Sequence, residues 1–220
     1  WESQSQSQYS KIDPGSVYTS PDVTNDDVNE YIPRNVNLLY FNLHGSDTDK
    51  HWGGENPFGL VEAFSPDSIR ALDTSYFLGV EACYGARYTD GLTPDDSILL
   101  SAMKCGCLAF LGSSRIAFAP NPPTPGLADF MIGTFIKKIT EGESAGDAYC
   151  AAMSDVVADD KTDACTIKTL AEFSLYGDPS ARTGKNKSKS ILGKAFGGVA
   201  KGLRVPMPDV RRAVKSVQID

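Results

Sequence analysis

The sequence contains only two histidines, His44 and His51, and neither follows any of its five cysteines. A papain-like peptidase needs a histidine after its catalytic cysteine, and an α/β-hydrolase needs one after its nucleophile, so both arrangements are excluded. No CxxC pair is present, which argues against a structural zinc site. No run of 18 uncharged apolar residues occurs, so we expect no membrane-spanning helix.

The composition is that of a globular domain with an unevenly distributed charge. Hydrophobic residues make up 41% of the 220 residues, which excludes disorder along the whole chain. From residue 181 onward there are ten basic and two acidic side chains, a net charge of +8. The remainder therefore carries −15 of the total of −7. Such an acidic body is unsuited to nucleic-acid binding, because phosphate contacts need clustered Lys and Arg.

Short apolar segments alternate with segments of helical periodicity, which indicates an α/β fold with a mostly parallel sheet between helical layers. Helix starts are predicted at Ser65, at the capping-box pair Thr93 and Asp96, and at Ser144. A chymotrypsin-like order of catalytic residues would need β-barrels, which this alternation does not predict. The predicted strands are Val36–Leu43, Ser75–Ala82, Cys107–Ala119 with a break at Gly112, and Leu170–Tyr176, and the segment between His44 and Gly59 is predicted to be a loop.

Three regions follow from this pattern. Residues 1–35 are polar and are predicted to be a linker, residues 36–180 form the domain, and residues 181–220 form a basic extension. The chain opens on Trp1, so we expect it to begin inside a longer precursor. The extension is interpreted either as a linker to a further domain or as an inhibitory or autoprocessing segment.

Two of the predicted strands end in reactive side chains. His44 follows the first strand and Cys83 follows the second. If the two strands are neighbours in the sheet, the two side chains meet at its carboxyl edge, where an imidazole can activate a thiol. The alternatives are an inert cysteine that only packs and an ordinary histidine in a loop.

The residues around this pair resemble a known group of enzymes. His44-Gly45 and Glu81-Ala82-Cys83 resemble the caspase–legumain–gingipain group of cysteine peptidases. Three further segments resemble the gingipain family in particular. They are Phe110-Leu-Gly-Ser-Ser114, Gly142-Glu-Ser-Ala-Gly-Asp-Ala148 and Leu175-Tyr-Gly-Asp-Pro179. The resemblance spans residues 35–180 and implies a caspase-like, open, three-layer fold. Such a sheet has two strands before the histidine strand, so we expect its first strands to be missing from this chain.

The resemblance also implies a reaction. Cys83 would be the nucleophile, His44 the general base and acid, and the backbone N–H groups of Gly45 and Cys83 the oxyanion hole. It implies a protein or peptide substrate, no cofactor, autoprocessing from a larger precursor and a secreted or cell-surface location. A segment cut from the same precursor is an expected partner. The alternative is a catalytically silent, peptidase-like module for signalling or scaffolding.

Glu81 suggests a specificity. It precedes Cys83 by two residues, and so lies on the same face of an extended strand, at a position that lines the S1 pocket in relatives. A carboxylate there favours Arg or Lys before the scissile bond. The alternative is a buried carboxylate paired with Arg87 or Arg115. Ser113 and Ser114 are weaker candidates for the pocket wall.

Two further groups invite an interpretation. Asp47, Asp49 and Glu55 offer oxygen ligands that suit Ca²⁺, although a solvated acidic loop is the simpler interpretation. Cys105 and Cys107 span a helix end and a strand start, where core packing is the expected role. The sequence leaves undecided whether any of the cysteines form a disulfide.

Overall fold

A computed structural model of the chain describes residues 36–56, 58–70, 72, 74–118, 126–158 and 163–183. The predicted linker and nearly all of the predicted basic extension lie outside these residues. The strands are β1 (Leu38–Asn42), β2 (Trp52–Asn56), β3 (Gly59–Phe64), β4 (Tyr76–Glu81), β5 (Cys107–Ser113) and β6 (Phe173–Gly177). The helices are α1 (Pro66–Arg70), α2 (Ile98–Lys104), α3 (Ala128–Thr140), α4 (Ala145–Ala158) and α5 (Ala164–Glu172).

A four-stranded sheet in the order β1–β4–β5–β6 forms the centre of the fold. β4 is parallel to both of its neighbours, whereas β6 runs antiparallel to β5. All six residues of β4 are buried, as expected of an inner strand that is covered on both faces. The predicted α/β class with a mostly parallel sheet is confirmed.

Each face of the sheet carries its own hydrophobic core. Successive side chains of a strand point to opposite faces. On β4, Phe77 belongs to one core, while Leu78 and Val80 belong to the other. α3 and α4 cover the Phe77 face, whereas α1, α2 and Trp52 of the β2–β3 hairpin cover the opposite face. Helices therefore flank the sheet in three layers.

The predicted start of α2 at Thr93 is wrong by one turn. The hydroxyl of Thr93 does donate to Asp96 Oδ2 at 2.6 Å, but this contact closes a turn that precedes the helix. The helix begins at Ile98, because the extended Ser97 supplies the cap and accepts a hydrogen bond from the Leu100 N–H at 3.3 Å. A capping-box pattern thus marked a real contact outside the helix.

Other local predictions also need correction. The predicted loop between His44 and Gly59 contains β2, which pairs antiparallel with β3 and whose glycines conceal the alternation of a strand. The predicted strand at residues 170–176 begins only at Phe173, because α5 occupies residues 164–172. The predicted break at Gly112 is absent, since Gly112 pairs with Ser174 on β6.

The two ends of the described chain differ in their packing. β1 pairs with β4 on one side, and within the described residues no strand covers its other side. The expected upstream strands stay a prediction, because residues 1–35 lie outside the description. At the other end, the Ala181 carbonyl accepts from the Ala145 N–H at 3.0 Å, and Arg182 donates to the Gly142 carbonyl at 3.2 Å.

In the part of the chain that the structure describes, none of the helices has the length and apolar character needed to cross a membrane.

Gly177 ends β6 and offers a test of the sheet. Its φ is +108°, and a Cβ there would lie 2.3 Å from the Leu108 carbonyl oxygen. We expect Gly177→Ala to lower the free energy of unfolding by about 3 kcal/mol, through left-handed strain and the clash with a fixed backbone. Gly91 has a φ of +86° with open space around it. Gly91→Ala should therefore cost only about 1 kcal/mol. Equal losses in urea unfolding would contradict the close approach of β6 to β5.

Candidate active site

The pairing of β1 with β4 aligns the two predicted catalytic residues. The ladder runs in parallel from Leu38 opposite Phe77 to Asn42 opposite Glu81, so that each pair is 39 residues apart. His44 and Cys83 have the same separation of 39 residues. The ladder is extended beyond β1 by a hydrogen bond from the Leu43 N–H to the Glu81 carbonyl, at 3.3 Å. The structure therefore brings both residues to the same edge of the sheet.

Cys83 lies in a tight turn that follows β4 directly. The Gly85 N–H donates to the Ala82 carbonyl at 3.0 Å and closes the turn. Tyr84 has a φ of +52°, in the left-handed region that non-glycine residues rarely adopt. The Tyr84 N–H is anchored on the Arg115 carbonyl at 2.7 Å. The strained turn leaves the Cys83 side chain only partly buried, at a fixed position.

The His44 loop packs against this turn through Gly45. A Cβ built on Gly45 would lie 1.9 Å from the Cys83 carbonyl oxygen, so no other residue fits at this position without moving the loop. His44 itself forms an isolated antiparallel bridge with Gly53, with two backbone hydrogen bonds of 2.8 Å. The hairpin thus holds the loop whose next residue touches Cys83. His44 is exposed.

The second histidine has a different environment. The Nδ1 of His51 lies 2.8 Å from Asp49 Oδ1, and its Nε2 lies 3.3 Å from Glu62 Oε2. These contacts connect the loop that precedes β2 with β3. Neither contact of the ring involves a residue of the Cys83 turn.

Glu81 ends β4 and is buried, with 6% of its surface exposed. The Tyr40 hydroxyl donates to Glu81 Oε1 at 3.0 Å. Asp129, in the first turn of α3, is its other polar neighbour and is equally buried at 6%. The alternative in which Arg87 or Arg115 neutralises Glu81 is not observed, since Arg87 donates to the Asp49 carbonyl and Arg115 is exposed.

This environment strongly favours the protonated form of Glu81. Burial raises the pKa of Glu81 well above its usual value, and the nearby Asp129 carboxylate raises it further. The hydrogen bond from Tyr40 acts in the opposite direction. When Glu81 is ionised, its Oε2 has no hydrogen-bond donor among the described residues. When it is protonated, it can donate to Asp129.

Ser113 and Ser114 are engaged in holding the segment that follows β5. The Ser113 hydroxyl is fully buried and donates to the Arg115 carbonyl at 2.9 Å. The Ser114 backbone N–H and hydroxyl both donate to the Glu172 carbonyl, at 2.9 and 3.1 Å. The predicted role of these serines in substrate binding stays a prediction.

The same segment reaches the cysteine. The Cys83 thiol donates to the Ala117 carbonyl at 3.7 Å. Lys168 on α5 binds the Ile116 carbonyl and the Glu172 carboxylate, and its ammonium lies 4.4 Å from the centre of the Phe118 ring. α5 therefore positions residues 114–118 beside Cys83.

The structure gives no support to a particular metal ligand set. In the described residues there is no group of three or more His, Cys, Asp and Glu side chains that suits a metal ion. Asp49 binds His51, and the side chain of Glu55 lies outside the description. The calcium site at Asp47, Asp49 and Glu55 stays a prediction. All five cysteines are free thiols, and burial raises the pKa of Cys107 to about 12.

Several residues near the site were missed by the sequence analysis. Asp129 was hidden in a helical pattern, and Tyr40 looked like an ordinary strand residue. Lys168 and Glu172 were missed because α5 was not predicted. The position of Asp129 in the first turn of a helix could have indicated a favourable interaction with the helix N-terminus. It could not have indicated the contact with Glu81, because tertiary packing decides which strand end the helix start faces.

The comparison with known families gives a match over most of the chain. The model of peptidase family C25 matches residues 2–184. The described fold is similar to the crystal structure of the Arg-specific cysteine proteinase gingipain R, with a TM-score of 0.52 and 18% identity. It is also similar to the complex of Porphyromonas gingivalis RgpB pro- and mature domains, with a TM-score of 0.53 and 17% identity.

The matches cover most of this chain but only a part of each relative. The gingipain comparisons cover 73% of this chain but only 36% and 37% of those chains, so this chain spans about a third of their length. A shorter match relates the chain to a protein of Bacillus velezensis named putative pyruvate, phosphate dikinase regulatory protein, at 32% identity over 99 residues. That match covers 41% of this chain and 36% of that protein, too little to indicate a shared family.

The buried Glu81 carboxyl predicts how stability changes with pH. Its pKa is raised in the folded state, so the folded chain binds more protons than the unfolded chain once the pH exceeds the ordinary pKa of a glutamate side chain, about 4.3. Stability is therefore greatest below this pH and falls as the pH rises towards the folded-state pKa, by about 1.4 kcal/mol per unit of pKa difference.

Glu81→Gln should remove this loss and make the free energy of unfolding less dependent on pH between pH 5 and pH 8. Urea unfolding across this range measures it. Glu143→Gln, which removes an exposed carboxylate, is the matched control and should behave like the wild type. If Glu81→Gln kept the full decline of stability with pH, the raised pKa would be disproved.

Proposed function

Because the chain belongs to peptidase family C25, we propose that it carries the catalytic centre of a cysteine endopeptidase, with Cys83 as nucleophile and His44 as general base and acid. The single observation that carries this proposal is the parallel β1–β4 register, which aligns His44 with Cys83. The contact of Gly45 with the Cys83 carbonyl supports it, since it keeps the two loops together.

The reaction follows from the chemistry of the pair. His44 takes the proton of the Cys83 thiol, and the thiolate attacks the carbonyl carbon of the scissile peptide bond. His44 then gives the proton to the departing amine, which leaves a thioester on Cys83. A water molecule, deprotonated by His44, hydrolyses the thioester, releases the carboxylic acid and restores the thiol.

Charge that develops on the carbonyl oxygen needs fixed donors. The backbone N–H groups of Gly45 and Cys83 are the proposed donors. Among the hydrogen bonds between described residues, none uses either N–H. The strained Tyr84 that follows supports this role, because backbone strain is maintained where the surrounding structure holds a functional geometry.

Glu81 is the proposed determinant of a preference for Arg or Lys before the scissile bond. It is a buried acid two residues before the nucleophile, and folding alone gives no reason to keep a carboxyl there. The printed name of the gingipain relative, an Arg-specific proteinase, agrees with this choice. The proposed origin from a larger precursor agrees with the relative solved as a complex of pro- and mature domains.

The dyad is tested by three substitutions. Cys83→Ala should abolish peptide hydrolysis, and His44→Ala should lower kcat/KM by about a hundredfold or more, because general acid–base catalysis is lost. His51→Ala is the control and should keep most of the activity, since that ring binds Asp49 and Glu62. Cleavage rates on a peptide library give the comparison. An essential His51 with a dispensable His44 would refute the assignment.

Inactive wild-type protein would favour the silent-module alternative. In that case a thiol-reactive peptide probe should leave Cys83 of the folded chain unlabelled, while the fold persists by circular dichroism. Labelling of Cys83 in the wild type, and its loss in His44→Ala, would support the dyad even where no substrate has been found.

The proposed specificity has its own test. Glu81→Gln should lower kcat/KM for arginyl substrates by about ten- to a hundredfold, the value of one hydrogen bond to a charged group. Peptides that carry citrulline, the neutral analogue of arginine, are the matched control and should be cleaved slowly and equally by both proteins. A wild-type enzyme that prefers acidic or purely apolar residues before the scissile bond would refute the proposed specificity.

A further inference from the structure

The segment that follows β5 contacts the Cys83 turn with every second carbonyl group. The Ser113 and Arg115 carbonyls accept from backbone N–H groups of that turn, at 2.8 and 2.7 Å. The Ala117 carbonyl accepts from the Cys83 thiol at 3.7 Å. Because successive peptide groups of an extended chain face opposite sides, residues 113, 115 and 117 present their carbonyls to the turn, and residue 116 presents its carbonyl to the other side.

The carbonyl that faces away from the turn is held by α5. The Lys168 ammonium donates to the Ile116 carbonyl and to the Glu172 carboxylate. The same ammonium lies 4.4 Å from the centre of the Phe118 ring, a favourable contact between a cation and an aromatic face. Lys168 therefore holds the peptide group that directly precedes the acceptor of the Cys83 thiol.

Glu172 restricts the otherwise flexible lysine. It lies four residues after Lys168 on the same face of α5, and only 3% of its side chain is exposed. The main chain of α5 makes a separate attachment, since the Ser114 N–H donates to the Glu172 carbonyl at 2.9 Å. That attachment does not need the ion pair. The specific contribution of Lys168 is thus to the position of residues 116–118.

We propose that Lys168 is a positioning residue for the reactive cysteine, which holds the Ile116 carbonyl and so keeps the Ala117 carbonyl in place as the resting acceptor of the Cys83 thiol. The inference rests on the proposed function only for the role of Cys83 as nucleophile. In the free protein the acceptor restrains the sulfur atom and stabilises the neutral thiol. In the reaction, His44 takes the proton that the thiol donates to Ala117 at rest.

Loss of the restraint has opposite consequences for two kinds of reagent. Without a fixed acceptor the Cys83 thiol loses a partner of its neutral form, so a small alkylating reagent reacts with it faster. A peptide substrate reacts more slowly, because the sulfur atom no longer has one position relative to the scissile carbonyl. General loosening of the fold would also expose Cys107, which is 8% exposed and supplies an internal control.

The experiment compares alkylation of each cysteine with peptide hydrolysis in the full chain. Lys168→Met combined with Glu172→Gln removes the donor, leaves no buried charge unpaired and keeps the net charge near Cys83 unchanged. Iodoacetamide treatment at pH 7, followed by mass spectrometry of the digested chain, gives a rate for every cysteine. We expect alkylation of Cys83 to rise about three- to tenfold, the value of one hydrogen bond, with Cys107 unchanged. The kcat/KM for peptides should fall about tenfold or more.

Two single variants are the controls. Lys168→Arg should keep the wild-type value of both rates, because a guanidinium also donates to carbonyl and carboxylate oxygens and stacks on an aromatic ring. Lys138→Met removes a lysine of α3 that pairs with Glu141 at the surface, and should change neither rate. Should the double variant fail to fold, Lys168→Met alone serves in its place, since burial raises the pKa of Glu172 and so favours its neutral form.

The outcomes separate this inference from the proposed function. Unchanged alkylation of Cys83 would overturn the positioning role even in an active peptidase. A parallel rise at Cys107 would overturn it as well, because Lys168 would then only stabilise the fold, and so would a loss that Lys168→Arg shares. Conversely, a rise at Cys83 alone, in a chain that cleaves no peptide, would support the positioning role and refute the peptidase.

Discussion

The parallel pairing of β1 with β4 is the constraint on which the candidate site depends. In a parallel ladder the register fixes which residues arrive together at the carboxyl edge. A shift of one residue would turn every side chain of β1 to the opposite face of the sheet. The buried side chains on both faces of β4 resist such a shift, because each face has its own packed core. The position of His44 relative to Cys83 is therefore determined by hydrophobic packing well away from either residue.

The supports of the site come from several parts of the chain. The β2–β3 hairpin bridges to His44 through Gly53, and its Trp52 is buried in the core beneath β1. α5 holds the segment after β5 through Lys168. Cys83 lies between these two supports, on a turn that neither of them contains. Distant substitutions in the hairpin or α5 are thus expected to change activity by moving backbone, without touching the reactive atoms.

The sequence predicted the strands of the sheet and the ends of β1 and β4 where His44 and Cys83 lie, because these signals are local. Buried strands are short apolar runs, and His44 and Cys83 each follow one of them directly. α5 was missed because Thr166, Ile167 and Thr169 are β-branched and weaken its helical signal. Its last turn also runs directly into the apolar residues of β6, so that residues 170–176 together were predicted to be one strand. The hairpin was missed because Gly53 and Gly54 interrupt its alternation. The Glu81–Asp129 contact depends on how α3 packs against β4, and no local pattern carries that information.

The buried acids Glu81 and Asp129 lower the stability of the fold, so their presence needs a reason other than folding. A glutamine at position 81 would keep the hydrogen bond with Tyr40 and avoid the unfavourable burial of a charge, so stability alone favours the amide. The carboxyl agrees with the proposed role of Glu81 in holding a basic side chain of the substrate, which an amide would hold less well. Asp129 strengthens the argument, since a second acid makes the first harder to ionise and so raises the cost to the folded chain.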